Sequence, residues 1–218
     1  MTPILFGADY SVYTRIARMA LIEKQVEHQF EAVDVFNPAG PSGEYLKRQP
    51  FGKIPALSHS DFTLFETAAI ARYVDEAFEG PLLQPRNAKG RARVAQIVGM
   101  LDAYAYQAMV WEIFVERMRK PSRGETPDEE KIRAAVERAD LCLRTLSEFI
   151  GDALWLVGDS RNPSLADLHA APMVACLRAA PEGEKLLSQH ARLAAWWDRI
   201  RRRASMRATP SPMFRDAA

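Results

Sequence analysis

The chain has 218 residues and a mass of 24.5 kDa, with 48% hydrophobic and 26% charged side chains, which excludes disordered, collagenous and low-complexity classes. Lys and Arg total 29 against 28 Asp and Glu, so a formal charge of +1 gives no electrostatic footing for a nucleic-acid partner. The charge is unevenly spread: residues 1–80 hold 7 basic and 11 acidic side chains (net −4), and residues 81–218 hold 22 and 17 (net +5).

Pro3–Phe6 is a short apolar run ended by Gly7, which predicts a buried strand. Ser11 opens a helix in which Val12, Ile16, Met19 and Ala20 recur at helical spacing. Phe30–Val35 reads as a second strand, and Asn37–Gly43, with its Pro and Gly residues, as a loop. Ile54–Leu57 and Phe62–Phe65 read as strands joined by the polar turn His59–Asp61, and Thr67–Phe78 as a helix with Ile70, Val74 and Phe78 on one stripe. The order β-α-β-(loop)-β-β-α predicts a small mixed sheet covered by helices.

Gly80, Pro81 and Pro85 then mark a linker, and no period-two pattern follows it. Helical stretches are expected over 87–119, 127–150, 164–178 and 183–204. The expected domains are therefore an α/β unit over 1–80 and an all-helical unit over 88–218.

Only two cysteines, Cys142 and Cys176, occur, so a disulfide scaffold is not expected and a reducing compartment is. The four histidines are scattered without ligand spacing, so no metal is expected. Asp9 and Tyr10 interrupt the first apolar stretch, and the longest uncharged apolar run, Ala170–Leu177, has 8 residues. The expectation is a cytoplasmic protein with no membrane partner.

Three short stretches offer chemistry. In Gln49-Pro50-Phe51-Gly52-Lys53-Ile54-Pro55 a proline precedes a strand. A cis Ile54–Pro55 bond would present the Ile54 backbone to an extended peptide, whereas base rates for X–Pro bonds favour trans. Phe65-Glu66-Thr67 is a strand-to-helix corner where helical N–H groups suit a carboxylate and Glu66 suits an amine; alternatively Thr67 is simply an N-cap. Ser11 sits at the other such corner, where its hydroxyl either caps the helix or donates to a bound thiolate.

Phe6-Gly7-x-x-x-Ser11-x-x-Thr14-Arg15, Ala20-Leu21-x-Glu23-Lys24, Pro50-Phe51-Gly52-Lys53-Ile54-Pro55 and Phe65-Glu66-Thr67-x-Ala69-Ile70, in this order and spacing, resemble a glutathione S-transferase of the serine-type phi and theta classes. The helical half resembles the family too, through Gly158-Asp159, Ser164-Leu165-Ala166-Asp167 and Ala195-Trp196-Trp197-x-Arg199-Ile200. The resemblance implies a thioredoxin-like N-terminal domain, an all-α C-terminal domain and a cis Pro55. It implies that Ile54 and Pro55 receive the cysteinyl part of glutathione, that Glu66 and Thr67 hold its γ-glutamyl end, and that Lys53 touches a carboxylate or backbone group.

Ser11 takes the catalytic place by that resemblance, with Tyr10 and Tyr13 as rivals because other classes use tyrosine. Tyr10, Tyr106, Trp111 and Phe114 are candidates for the co-substrate pocket, and Asp102 for a contact to a partner subunit's glutathione. The partners implied are glutathione, as co-substrate rather than cofactor, a hydrophobic electrophile and a second copy of the chain. A non-catalytic binding protein, or a glutathione-dependent dehalogenase, isomerase or peroxidase, remains an alternative. The basic end Arg199–Arg207 reads as a solvated helix terminus, and Ser164-x-x-Asp167 as a capping box.

Overall fold

The computed structural model describes residues 1–158 and 162–212. Asp159, part of one motif named above, lies outside the described residues. The chain divides into two compact units: Met1–Leu83 together with Ala204–Pro212, and Gln84–Arg203.

In the first unit, strands β1 (Ile4–Gly7), β2 (Gln29–Ala32), β3 (Ala56–His59) and β4 (Phe62–Phe65) form one sheet in the order β2-β1-β3-β4. β2 runs parallel to β1, whereas β3 is antiparallel to both β1 and β4. Side chains alternate across this sheet. Phe6 and Ala56, paired across β1 and β3, point to a cluster with Tyr45, and their neighbours Leu5 and Leu57 point to the other face, which helices α1 (Val12–Glu23) and α3 (Thr67–Ala77) cover. Ile16, Met19, Ile70 and Val74 are buried, as their helical spacing requires.

β2 ends at Ala32 rather than at the expected Val35, so the irregular segment runs over 33–42, and only the last residue of the expected loop 37–43 joins a helix. Ser42 caps a one-turn helix α2 (Gly43–Leu46), accepting the Tyr45 N–H at 3.2 Å. Tyr45 then packs against Phe6, with ring centroids 6.2 Å apart.

Two groups of buried polar contacts close this unit. Lys24 at the end of α1 pairs with Asp75 of α3 at 3.3 Å, and Asp75 also accepts the Leu83 N–H at 2.8 Å. Arg15 donates to Thr209 Oγ1 at 3.3 Å and to the Met206 carbonyl at 3.1 Å, and Ser205 donates to Glu23 at 2.6 Å. Polar side chains therefore anchor the segment 204–212 on α1, beside the buried Met206.

The second unit is helical. Asn87 caps α4 (Ala88–Met100), and the chain continues through Leu101–Arg119 as a π-helix, the Lys120 N–H reaching back five residues to Val115. Helices Glu129–Ile150 and Leu165–Ala179 match their expected stretches within two residues. The single helix expected over 183–204 is instead two in this unit, Pro181–Ser188 and Ala191–Ile200, and the short helix Ala204–Ala208 that follows belongs to the first unit. His190 leaves the helical region at φ −117, ψ 77, so the chain turns there. Gly183 packs so tightly on the preceding helix that a Cβ would collide with the Leu177 carbonyl. No described helix is long and apolar enough to cross a membrane.

Candidate active site

Register assembles the site. Phe6 pairs with Ala56, Ala56 pairs with Phe65, and Gly7 pairs with Ala32. The exit of β1, the entry of β3, the exit of β4 and the exit of β2 consequently lie along one edge of the sheet. From that edge spring the turn to Ser11, the Ile54–Pro55 bond, the Glu66–Thr67 corner and the loop after Ala32. Four stretches apart in sequence become neighbours because a sheet joins strands side by side.

Ser11 is half-buried at the N-cap of α1, with extended backbone (φ −82, ψ 123). Its Oγ accepts the Thr14 N–H at 3.2 Å, which uses the hydroxyl as an acceptor and leaves its proton to donate. Both expected roles, cap and donor, are compatible in one hydroxyl. The approach of α1 to β1 is close: a Cβ on Gly7 would run into the Thr14 side chain, so the strand must end in glycine.

The neighbouring tyrosine is differently employed. Tyr10 donates its phenolic proton to Asp34 at 2.9 Å, and burial, reinforced by that bond, pushes its hydroxyl up to about 12. It is a committed donor to a carboxylate, which separates it from Ser11.

The Ile54–Pro55 bond is cis. Base rates for X–Pro bonds pointed the other way, and the family resemblance pointed here. The loop before it is built by Gln49, the first residue of the stretch named above, and by Tyr45, which lies outside every motif. Gln49, 2% exposed, accepts the Phe51 N–H at 2.7 Å and the Lys53 N–H at 3.3 Å through one oxygen. Tyr45 donates to the Lys53 carbonyl at 2.5 Å, and burial pushes its hydroxyl up to about 12. The Lys53 side chain is exposed, Ile54 half-buried and Pro55 buried. A glutamine between Arg48 and Pro50 carries no periodicity signal, so only the fold reveals its role.

Thr67 is not the N-cap. Glu66 holds that position, at φ +68 and ψ 115 and with no side-chain capping bond, and Thr67 is the first helical residue, 7% exposed. Among the described residues no hydrogen bond or ion pair engages the Glu66 carboxylate or the Thr67 hydroxyl. Positive φ in a residue with a Cβ is strained backbone, which clusters at ligand sites.

The remaining candidates lie in the helical unit. Burial pushes the Tyr106 hydroxyl up, partly offset by a hydrogen bond with Trp111. Trp111 is 38% exposed, whereas Phe114 is fully buried and has no surface to offer a ligand. Asp102 is bonded to the buried His169 ring at 2.7 Å. No group of three or more His, Cys, Asp or Glu among the described residues could hold a metal ion.

A thioredoxin-like sheet with a cis-proline loop, joined in sequence to an all-helical unit, defines the class of glutathione-handling proteins. Family comparison agrees: residues 5–82 match the glutathione S-transferase N-terminal domain and residues 114–199 its C-terminal domain. The chain is similar to glutathione S-transferase F10 of Arabidopsis thaliana, at 31% identity over 87% of each chain, and to a probable glutathione S-transferase GSTF1 of Oryza sativa subsp. japonica, at 29% over 98% of each. Among solved structures it is similar to glutathione transferase F7 of Populus trichocarpa (TM-score 0.82, 30% identity, covering 95% of this chain and 97% of that one). It is also similar to a glutathione S-transferase-I bound with lactoylglutathione (TM-score 0.84, 25% identity, covering 96% and 98%). The chain belongs to the glutathione S-transferase family and is an enzyme of that transferase class.

Proposed function

We propose that this protein binds glutathione along the sheet edge, with Ser11 donating a hydrogen bond to its sulfur, and transfers the resulting thiolate to an apolar electrophile. The observation that carries this is the Ser11 hydroxyl, held at the start of α1 by the Thr14 N–H with its own proton still available. Ile54 and Pro55 receive the cysteinyl backbone, Glu66 takes the γ-glutamyl amine, and Thr67 with the first N–H groups of α3 takes its carboxylate. Lys53 offers an exposed cation to a further carboxylate of the peptide.

A free thiol titrates near 8.5, so depressing it by about two units requires about 2.7 kcal/mol of preference for the thiolate. A hydrogen bond to a charged acceptor contributes about 1.5–3 kcal/mol, and a helix N-terminus about 0.3–1 kcal/mol more. The thiol proton leaves to solvent, sulfur forms the new bond to carbon, and the leaving group departs with the bonding pair. Glutathione is the only co-reactant besides the electrophile, so no metal or prosthetic group enters the scheme. Tyr10, next to Ser11 in sequence, supplies apolar surface for the electrophile. We assign the protein to the cytoplasm, as a homodimer that conjugates foreign apolar compounds.

The test is Ser11→Ala. Conjugation is expected to fall at least tenfold while glutathione affinity changes less than threefold, and thiolate absorbance of the bound peptide at neutral pH should disappear. Full activity in this variant sinks the assignment. A normal thiol titration in the wild-type complex would favour a binding protein without turnover.

A further inference from the structure

Asp34 lies in the loop after β2, 24 residues from Tyr10, yet one of its carboxylate oxygens ties both sides of the sheet edge together. That oxygen accepts the Tyr10 hydroxyl at 2.9 Å and the Phe36 N–H at 3.0 Å. The two bonds bring the Tyr10 and Phe36 rings to 5.4 Å between centroids, tilted by 38°. Because β1 and β2 are parallel and Gly7 pairs with Ala32, both residues leave the sheet at the edge that carries Ser11.

Phe36 is 67% exposed, an unusual position for a large ring, and it has two anchors: its backbone bond to the shared carboxylate and its ring partner Tyr10. Both bonds lie at the surface, and the Phe36 ring stands exposed beside them. An aromatic surface fixed before any ligand arrives loses little side-chain entropy on binding. The Tyr10 phenol keeps its proton at neutral pH and so remains a donor to Asp34 there.

We propose that Asp34 is a positioning residue for conjugation: through Tyr10 and Phe36 it preforms an aromatic wall beside Ser11, and this wall favours flat aryl electrophiles over small aliphatic ones. The inference rests on reading Ser11 as the thiolate donor. Asp34 itself touches neither substrate. Offset or edge contacts to two tilted rings reward a planar partner, whereas a methyl-sized electrophile meets too little of the wall to notice its loss.

The experiment compares wild type, Asp34→Ala, Asp34→Asn and Tyr10→Phe with 1-chloro-2,4-dinitrobenzene as the aryl probe and iodomethane as the alkyl probe. Asp34→Ala is expected to raise the KM for the aryl probe about fivefold, with the glutathione KM and the iodomethane rate within about twofold of wild type. Asp34→Asn keeps an acceptor oxygen and should restore the wild-type KM. Tyr10→Phe, which removes one bond without touching the loop, should raise it about twofold and keeps the test open if the alanine variant fails to fold. Calorimetry gives a readout without turnover: Asp34→Ala should weaken binding of S-(2,4-dinitrophenyl)glutathione about fivefold and leave S-methylglutathione unchanged. Equal losses for both probes or both conjugates, a raised glutathione KM, or no change at all would overturn the proposal. Ser11→Ala is assayed alongside. If it keeps full activity the thiolate reading fails, and if it loses activity while the Asp34 variants behave as wild type, only the Asp34 inference fails.

Discussion

Asp167 is fully buried and its two carboxylate oxygens receive four donors: the Leu156 N–H at 2.8 Å, the Ser164 N–H at 2.7 Å, the Ser164 hydroxyl at 2.6 Å and the Trp196 indole N–H at 2.7 Å. Burial pushes this carboxyl up, and the four donors act against that push. The carboxylate joins the start of helix Leu165–Ala179 to the loop at Leu156 and to helix Ala191–Ile200. Asp167→Ala strands three donors that cannot rotate away, the two backbone N–H groups and the indole. Each unsatisfied buried donor costs about 1–3 kcal/mol, and a small cavity admitting water recovers part of that sum. The expected loss is about 4 kcal/mol, which for a chain of this size lowers Tm by about 10 °C. Thermal unfolding followed by circular dichroism measures it, with urea unfolding as an independent check. Trp196→Phe removes one donor and its partner bond together, so the double variant should lose less than the two single losses added. A fall below about 2 °C in Asp167→Ala, or strict additivity in the cycle, would refute this account.

Glu116 supplies an acid-sensitive contribution. Burial alone would raise its carboxyl, but Lys120 at 2.7 Å, Lys131 at 2.8 Å and the Asp128 N–H at 3.1 Å outweigh that and hold it at about 2 against an ordinary 4.5. A depressed carboxylate stabilises above its unfolded value, and the gain is lost as pH falls from about 4.5 towards about 2. Solvent screening of the half-exposed lysines reduces the contribution to about 1–2 kcal/mol. The urea midpoint of wild type should exceed that of Glu116→Gln at pH 6, the gap should shrink steadily below about pH 4.5, and it should close only below about pH 2; a constant gap would exclude the ion pairs as its source. Glu66→Gly tests the strained corner. Relief of positive φ, about 1–3 kcal/mol, exceeds the extra chain entropy of glycine, about 0.5–1 kcal/mol, so Tm should rise by a few degrees while glutathione affinity falls. A lower Tm would show that the backbone there is unstrained.

Local pattern determined what local forces determine. The stripes Val12-Ile16-Met19-Ala20 and Ile70-Val74 placed α1 and α3, the Phe62–Phe65 run placed β4, and Ser11, like Ser164 with Asp167, was legible as a cap because capping is satisfied within four residues. The family pattern was legible from motif order, and it reached the cis Pro55 that residue statistics alone assigned to trans.

Tertiary structure decided the rest, and the reason is sequence separation. Strand register across β1, β3 and β4 put Ser11, Pro55 and Thr67 on one edge, and no single stretch of chain contains that register. The same holds for Asp34 meeting Tyr10, and for Arg15 meeting Thr209 across 194 positions. The break at His190 and the burial of Gln49 are further cases: both follow from what the neighbouring elements pack against, not from the residues on either side. Sequence periodicity reports which face of an element is apolar; only the assembled sheet and helices report which polar groups those faces bring together.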